Sequence, residues 1–387
     1  MTPISLYLHV PFCAHRCAYC DFNTYAGQED AIPAYVAALR AELRAVASAA
    51  GERLSVHTVF FGGGTPSLLS AAQFEAILVA LREGFDLAAD AELSLEANPG
   101  TLSAGYLHDL HGLGFNRLSL GVQSAHPDEL HLLERIHDYP EVVRSVEWAR
   151  RAGFGNLNLD LIFGLPEQTL TRWQTTVNLV LGLRPEHLSL YALTLEHGTP
   201  FGRWAAQGLL PLPDPDTAAD MYEWSEAALA AAGYGHYEIS NWARPGRECR
   251  HNLQYWRNLP YLGFGAGAHG FAAGVRYSNV LRIRTFIERC ADGSMARFPL
   301  SPAVVNSRHL SPHEEMQETM ITGLRLTQEG VSAATFRERF GTGLEDAFGK
   351  EIAELAGLGL LEWADGRLRL TVRGRLLGNQ VFLRFVD

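Results

Sequence analysis

Basic surplus is missing from this 387-residue sequence: 32 Lys and Arg stand against 43 Asp and Glu, a formal charge of −11 at pH 7. Proteins that hold nucleic acid neutralise phosphates with clustered Lys and Arg, so no nucleic-acid partner is expected. Long apolar runs are missing too. The start, MTPISLYLHVPFC, has no basic stretch and reaches cysteine before a leader's apolar segment could develop. The Ala-rich stretch 31–50 is interrupted by Arg40, Glu42 and Arg44. Neither a secretory leader nor a membrane span is therefore expected, and the chain reads as cytoplasmic, meeting a membrane only through a partner. Cysteine is scarce, at five residues, and three of the five crowd into positions 13–20. Such crowding suits a metal site and excludes a disulfide framework. The hydrophobic fraction of 47% is ordinary for a folded chain and allows a sizeable core.

What is present first is a rhythm. SLYLHV, HTVFFGG, AELSLEAN, RLSLGVQ, NLNLDLIFG and HLSLYALT read as strands, and segments 32–49, 71–82, 141–152 and 170–181 read as helices between them. Six β–α units in succession predict an α/β fold with a parallel sheet, curled by right-handed crossovers into a partial, six-unit TIM-like β/α barrel. A flat, doubly wound sheet is the alternative. The rhythm stops after Thr194. PLPDPD at 211–216 reads as a linker ahead of a helix over 217–232, and an aromatic, Gly-rich stretch follows. Helical runs at 314–326, 333–340 and 344–358 precede LLEWADGRLRLT, a hairpin turning at Asp365-Gly366. Three segments are expected: a core at 1–210, a connecting region at 211–310, and a winged-helix-like α+β module at 311–387 that serves as a structural or partner-binding cap.

The chemistry concentrates in CAHRCAYC, with Cys13, Cys17 and Cys20 spaced C-x3-C-x2-C. Three thiolates on one short loop can hold three irons of a 4Fe–4S cubane and leave the fourth open to an outside ligand. S-adenosylmethionine (SAM) can take that position through its amino and carboxylate groups, and an electron from the cluster can then cleave its C–S bond. The competing reading is a structural zinc site with His9 or His15 as fourth ligand. Gly62-Gly63-Gly64-Thr65-Pro66 follows the second strand, where glycine lets a backbone approach a ligand closely. Glu96, Gln123 and Thr194 lie at or just past strand ends, Arg135 follows the fourth strand, and Asp160 lies within the fifth. In β/α barrels the C-terminal strand ends form the reactive face, so these residues belong to one site. Singly, each has a plain reading as a helix cap, a solvated charge or a buried polar partner.

The cysteine spacing and the motifs that follow it in order resemble the radical SAM superfamily. SLYLHVPFCAHRCAYCDF, FFGGGTPSLL, LSLEANPG, RLSLGVQS, LDLIFGLPEQT, LSLYALTLEHGTP, YEISNWARPGRECRHNLQYW and YLGFGAGAHG extend the resemblance over nearly the whole chain. They point to its coproporphyrinogen III oxidase-like branch and, within that branch, to the HemW-type heme chaperones. The resemblance implies a 4Fe–4S cluster with bound SAM, heme as cargo, and an acceptor protein. It implies that Tyr7, Gly63 and Glu96 contact the cluster-bound SAM and that Tyr19 lies near its adenine. Tyr19, Gly64, Thr65, Gln123, Arg135, Asp160 and Thr194 match positions that hold a second SAM in the oxidase. Two departures argue against oxidase activity: Phe22 stands where the oxidase motif has a fourth cysteine, and the first strand begins without the oxidase's preceding cover.

HNLQYW, from His251 to Trp256, resembles the heme-binding motif of the chaperones. The resemblance implies His251 as axial ligand, with Asn252, Tyr255 and Trp256 completing the site; an imidazole can bind heme iron and aromatic rings can stack on a porphyrin. An Asn–His pair beside aromatics also makes an ordinary turn. Cys249 is an alternative thiolate ligand, and Cys290 reads as structural. The expected function is a heme chaperone. The alternatives are a radical SAM enzyme, oxidase or methyltransferase, acting on a tetrapyrrole or other substrate, and a regulatory protein whose cluster senses redox state.

Overall fold

A computed structural model describes residues 3–292 and 295–386, and the chain divides into two compact units. The first comprises residues 1–228 and 260–308, the second 229–259 and 309–387. Among the described residues no helix is long and apolar enough to cross a membrane.

The first unit is built on six parallel strands: β1 (Ile4–Val10), β2 (Ser55–Gly63), β3 (Asp86–Ala97), β4 (Arg117–Gln123), β5 (Leu157–Phe163) and β6 (His187–Ala192). Their order in the sheet is their order in the chain. A doubly wound sheet reverses its order at a switch point, so this sequential winding is that of a β/α barrel. The units stay open, because β1 takes on its other side a seventh parallel strand, β7 (Tyr261–Phe264), which is continued antiparallel by β8 (His269–Ala272) and β9 (Val275–Asn279).

Burial explains the strand compositions. Leu6, Leu8 and Val10 on one face of β1 are fully buried, and Ser5 and His9 on the other face are buried too, as in a parallel sheet covered on both sides. The helices α1 (Ile32–Ala49), α2 (Ala71–Gly84), α3 (Ala104–Gly112), α4 (Tyr139–Ala152) and α5 (Leu170–Gly182) follow β1 to β5 in turn. On α1, Tyr35, Leu39, Leu43 and Val46 recur at helical spacing as its buried stripe. Capping boxes start α2 at Ser70 with Gln73 and α4 at Asp138 with Glu141, and Gly153 in the left-handed region (φ 107°) ends α4.

The second unit contains an antiparallel hairpin, Gly235–Glu238 with Asn241–Ala243, and the short helix Arg250–Trp256. Its remaining elements run helix Pro312–Gly323, strand Val331–Ser332, helices Ala333–Phe340 and Leu344–Gly357, then strands Leu361–Ala364 and Arg367–Leu370. The three strands form one antiparallel sheet, the element order of a winged helix. Asp365 (φ 51°) and Gly366 (φ 70°) make the two-residue turn that Asp-Gly favours. Phe336, Phe348, Ile352, Leu355, Leu368, Leu370 and Phe385 form its core.

These units do not follow the three consecutive segments expected from sequence, since 211–310 is shared between them. The physical reason is hydrogen bonding at a distance. Residues 261–264 add to the sheet beside β1. Residues 229–259 are instead tied to the C-terminal module, by Ile239 N–H to Arg325 O at 3.0 Å, Thr327 N–H to Tyr237 O at 3.1 Å and the Arg257–Glu329 pair at 2.7 Å.

Candidate functional site

Strand register assembles the site. Val10 pairs with Gly63, Ala97 with Leu120, Gly121 with Asp160, and Phe163 with Ala192, so the six C-terminal strand ends form one rim. Inside it is a cavity of about 410 Å³. Cys13, Cys17 and Cys20 line it, as do Tyr19, Gly63, Gly64, Thr65, Glu96, Gln123, Arg135, Asp160 and Thr194. These twelve residues, up to 181 positions apart in sequence (13 to 194), therefore share one space. Tyr7 sits one layer behind: a side chain on Gly62 would meet its ring at 3.1 Å.

The cysteine loop leaves β1, and Cys20 N–H donates to the Cys17 carbonyl at 3.1 Å. Cys13 is buried, Cys17 and Cys20 half-buried. Burial pushes the Cys13 and Cys20 thiols up. Thr65 Oγ1 donates to Cys13 Sγ at 3.6 Å and Arg135 Nη1 to Cys17 Sγ at 3.6 Å. Among the described residues no three His, Cys, Asp or Glu side chains are drawn together around a single ion; the three thiols are close enough that each feels the charge of another.

The glycine loop is held tightly against this segment. Gly64 N–H donates to Val10 O at 2.9 Å and Thr65 N–H to Phe12 O at 2.7 Å. Gly63 has φ 112°, and a Cβ there would stand 2.5 Å from the His9 ring. His9 is fixed in turn: its Nε2 donates to Asn23 O at 2.9 Å, and its Nδ1 accepts from the Tyr7 hydroxyl at 3.0 Å. A carbonyl can only accept, which sets the tautomer. Tyr7 is thereby a support for the glycine loop, through His9.

Two carboxyls mark the cavity floor. Glu96 accepts from Gly63 N–H at 3.1 Å, and burial, with the nearby Asp160 charge second, pushes its carboxyl up to about 7. Asp160, raised chiefly by burial, accepts from Ser119 Oγ and Asn158 Nδ2 at 2.8 Å each. SAM carries an ammonium and a sulfonium, and a pocket with two carboxyls and close-packed glycines suits it chemically. Tyr19 stands with its ring 6.4 Å from Phe201. Phe22, 64% exposed, lies at the cavity edge in place of a fourth thiol.

Asn98 and Gly121 also line the cavity and went unnoticed in the sequence. Asn98 Nδ2 donates to Thr65 Oγ1 at 3.1 Å, and the Gly121 carbonyl accepts from Arg135 Nη2 at 2.7 Å. The signal for both was the strand-end rule itself: Asn98 directly follows β3, and Gly121 lies two residues before Gln123 at the end of β4.

The HNLQYW residues belong to the second unit. His251 is 1% exposed, and its Nε2 lies 2.7 Å from the Tyr255 hydroxyl, the two rings meeting edge-on. The Arg325 guanidinium covers the Trp256 ring at 4.4 Å. Asn252 is half-buried on the same helix. Cys249 is fully buried immediately before that helix, and Cys290 is buried in the first unit.

The family profile described as the Radical SAM superfamily matches residues 7–180, and that of the HemN C-terminal domain matches 310–377. Among curated relatives, the heme chaperone HemW of Bacillus subtilis (strain 168) is 40% identical over 383 residues, 99% of each chain. The heme chaperone HemW of Escherichia coli (strain K12) is 44% identical over 273 residues, 70% of each chain. Radical S-adenosyl methionine domain-containing protein 1, mitochondrial, of Bos taurus is 37% identical over 99% of this chain and 87% of its own. Among solved structures, the radical SAM enzyme coproporphyrinogen III oxidase (HemN) of Escherichia coli superposes with a TM-score of 0.83 at 27% identity, over 99% of this chain and 90% of that one.

Proposed function

Because the chain belongs to the HemW heme-chaperone family of the radical SAM superfamily, we propose that it is itself a cytoplasmic heme chaperone that binds heme and passes it to an acceptor protein. The observation that carries this reading is the full-length likeness to relatives named heme chaperone HemW. Cys13, Cys17 and Cys20 would hold a 4Fe–4S cluster, and SAM would occupy the remaining cavity. When bound, that pair supplies one-electron cleavage of a C–S bond.

The residues of this chain have assignable tasks in that scheme. The Glu96 carboxylate and the backbone of Gly63 would take the SAM ammonium, held at their separation by the Gly63–Glu96 hydrogen bond. Tyr19, Gly64, Thr65, Gln123, Arg135, Asp160 and Thr194 would form the wall that a second SAM meets in the oxidase. His251 would bind heme iron after giving up its bond to Tyr255, with Asn252, Tyr255 and Trp256 around the macrocycle.

The intact SAM wall supports the second reading, a radical SAM enzyme acting on a tetrapyrrole or other substrate. One experiment separates them: anaerobic reconstitution, heme titration, then product analysis with SAM and a reductant. A chaperone returns unchanged heme and transfers it, and His251→Ala weakens binding and alters the Soret band. Unchanged affinity and spectrum in His251→Ala, with the heme or another tetrapyrrole modified at the expense of SAM, would favour the enzyme. With Phe22 at the fourth-cysteine position, failure to rescue a strain lacking coproporphyrinogen III oxidase is the expected complementation result.

A further inference from the structure

The three cavity thiols are not equally surrounded. Cys13 Sγ receives a hydrogen bond from Thr65 Oγ1 and Cys17 Sγ one from Arg135 Nη1, each at 3.6 Å. These two donors belong to one network, because Arg135 Nη2 donates to Asn98 Oδ1 while Asn98 Nδ2 donates to Thr65 Oγ1 at 3.1 Å. A second bond from Nη2, to the Gly121 carbonyl at 2.7 Å, orients the guanidinium. The space around it is tight: a Cβ on Gly121 would stand 2.9 Å from Gln123 Nε2 and 3.0 Å from Arg135 Nη2.

The backbone delivers Arg135 to this place. After the short helix Pro127–Leu132, Glu134 takes a left-handed conformation (φ 55°) and Arg135 N–H bonds back to Leu130 O at 2.9 Å. A non-glycine residue in that region is uncommon and is held by its surroundings. The Glu134 carboxylate meets His15 Nε2 at 3.1 Å, so two adjacent residues grip the cysteine loop.

Hydrogen bonds and positive charge at cysteinyl sulfurs draw electron density from a cluster and make it easier to reduce. A thiolate accepts more strongly than a thiol, so both bonds tighten once the sulfurs carry iron. We propose that Arg135 is a positioning residue for the cluster: it donates to the Cys17 sulfur, with Asn98 linking it to the Thr65 donor on Cys13, and sets the reduction potential before SAM arrives. This rests on the iron–sulfur reading of the three cysteines. It differs from the SAM-contact role implied by resemblance, because a sulfur donor acts in the absence of SAM and a SAM contact does not.

The test uses full-length protein reconstituted anaerobically, as wild type, Arg135→Met, Arg135→Lys and Thr65→Val. Iron content is measured first, then the midpoint potential of the cluster without SAM by spectroscopic titration, then SAM affinity by equilibrium dialysis. At equal iron content, Arg135→Met and Thr65→Val shift the midpoint to more negative values, and Arg135→Lys falls between Arg135→Met and wild type. An unchanged midpoint in Arg135→Met with weakened SAM binding overturns the proposal and leaves Arg135 a SAM contact. Wild type that takes up no iron overturns the iron–sulfur reading and the proposal with it, and the iron count tells the two failures apart. If Arg135→Met cannot hold its cluster, Asn98→Ala, which retains the guanidinium but removes its link to Thr65, decides the matter: a negative shift supports the proposal and an unchanged midpoint overturns it.

Discussion

Gly64→Ala is the sharpest perturbation of the site. The new methyl would stand 2.5 Å from Phe12 O, 2.9 Å from Val10 O and 3.1 Å from Cys13 Sγ. Carbon and carbonyl oxygen normally come no closer than about 3.3 Å, so relief means moving the two segments roughly 0.8 Å apart. The nearer oxygens are backbone, and they accept the bonds from Thr65 N–H at 2.7 Å and Gly64 N–H at 2.9 Å. Stretched by that amount, the first bond passes out of the normal range of about 2.7–3.2 Å. Overpacking of this kind costs about 1–3 kcal/mol, and the lost bond adds about 1 kcal/mol. The total, about 2–4 kcal/mol, corresponds to roughly 30- to 700-fold in an equilibrium constant if it falls on ligand binding. The assay is SAM affinity and iron content after anaerobic reconstitution, with Gly105→Ala as control, since nothing lies within 4 Å of a Cβ there. Gly64→Ala should bind SAM at least tenfold more weakly or lose iron, and Gly105→Ala should match wild type. A Gly64→Ala protein with wild-type iron content and SAM affinity would refute the claim that close backbone approach demands glycine.

Serine at Cys13, Cys17 and Cys20 together should remove nearly all iron and the broad absorption near roughly 400 nm typical of thiolate-held clusters; full iron content in that variant sinks the assignment. Glu96, raised to about 7, pairs with an ammonium only when ionised, so SAM binding should tighten as pH rises through that value. Calorimetric titration of Glu96→Gln should show weaker binding without that dependence, and an identical pH profile would count against the pairing. Glu42 is fully buried and accepts from Gly265 N–H, Asn279 Nδ2 and Ser301 Oγ at 2.6–2.8 Å, and burial pushes its carboxyl from 4.5 up to about 7. The folded chain keeps a proton there that the unfolded chain releases above 4.5, so this contribution to stability is fully present below 4.5 and is lost as pH rises to about 7. Between about pH 5 and pH 8 wild type should lose about 2–3 kcal/mol relative to Glu42→Gln in urea unfolding, and a pH-independent gap would refute it.

Local pattern and tertiary structure divided the determination of this protein along a clear line. RLSLGVQ is a strand over the span its alternation predicts, 117–123, and Ile32–Ala49 is a helix over its whole expected length. The Asp365-Gly366 hairpin turns where expected, because a left-handed pair is a local demand that Asp-Gly meets. Alternation, helical spacing and turn chemistry are short-range and can be read along the chain. The C-x3-C-x2-C loop and the strand-end residues were legible for the same reason, since each is a local feature and the barrel rule groups them.

Register, side-chain direction and burial arise only when distant segments meet. The pairing of Ala97 with Leu120 and Gly121 with Asp160 brought Asn98 and Gly121 into the cavity, the bond from Arg135 N–H to Leu130 O turned Arg135 toward Cys17, and no spacing in the chain encodes those contacts. Tyr7 lies behind the glycine loop because its hydroxyl bonds to His9. The stretch after 210 was divided between two units because 261–264 hydrogen-bonds beside β1 while 229–259 bonds to the C-terminal module. For His251, the residue type alone supplies an imidazole with a nitrogen that can bind a metal; its burial beside Tyr255 comes from the packing of distant segments, because packing sets which neighbour a nitrogen meets.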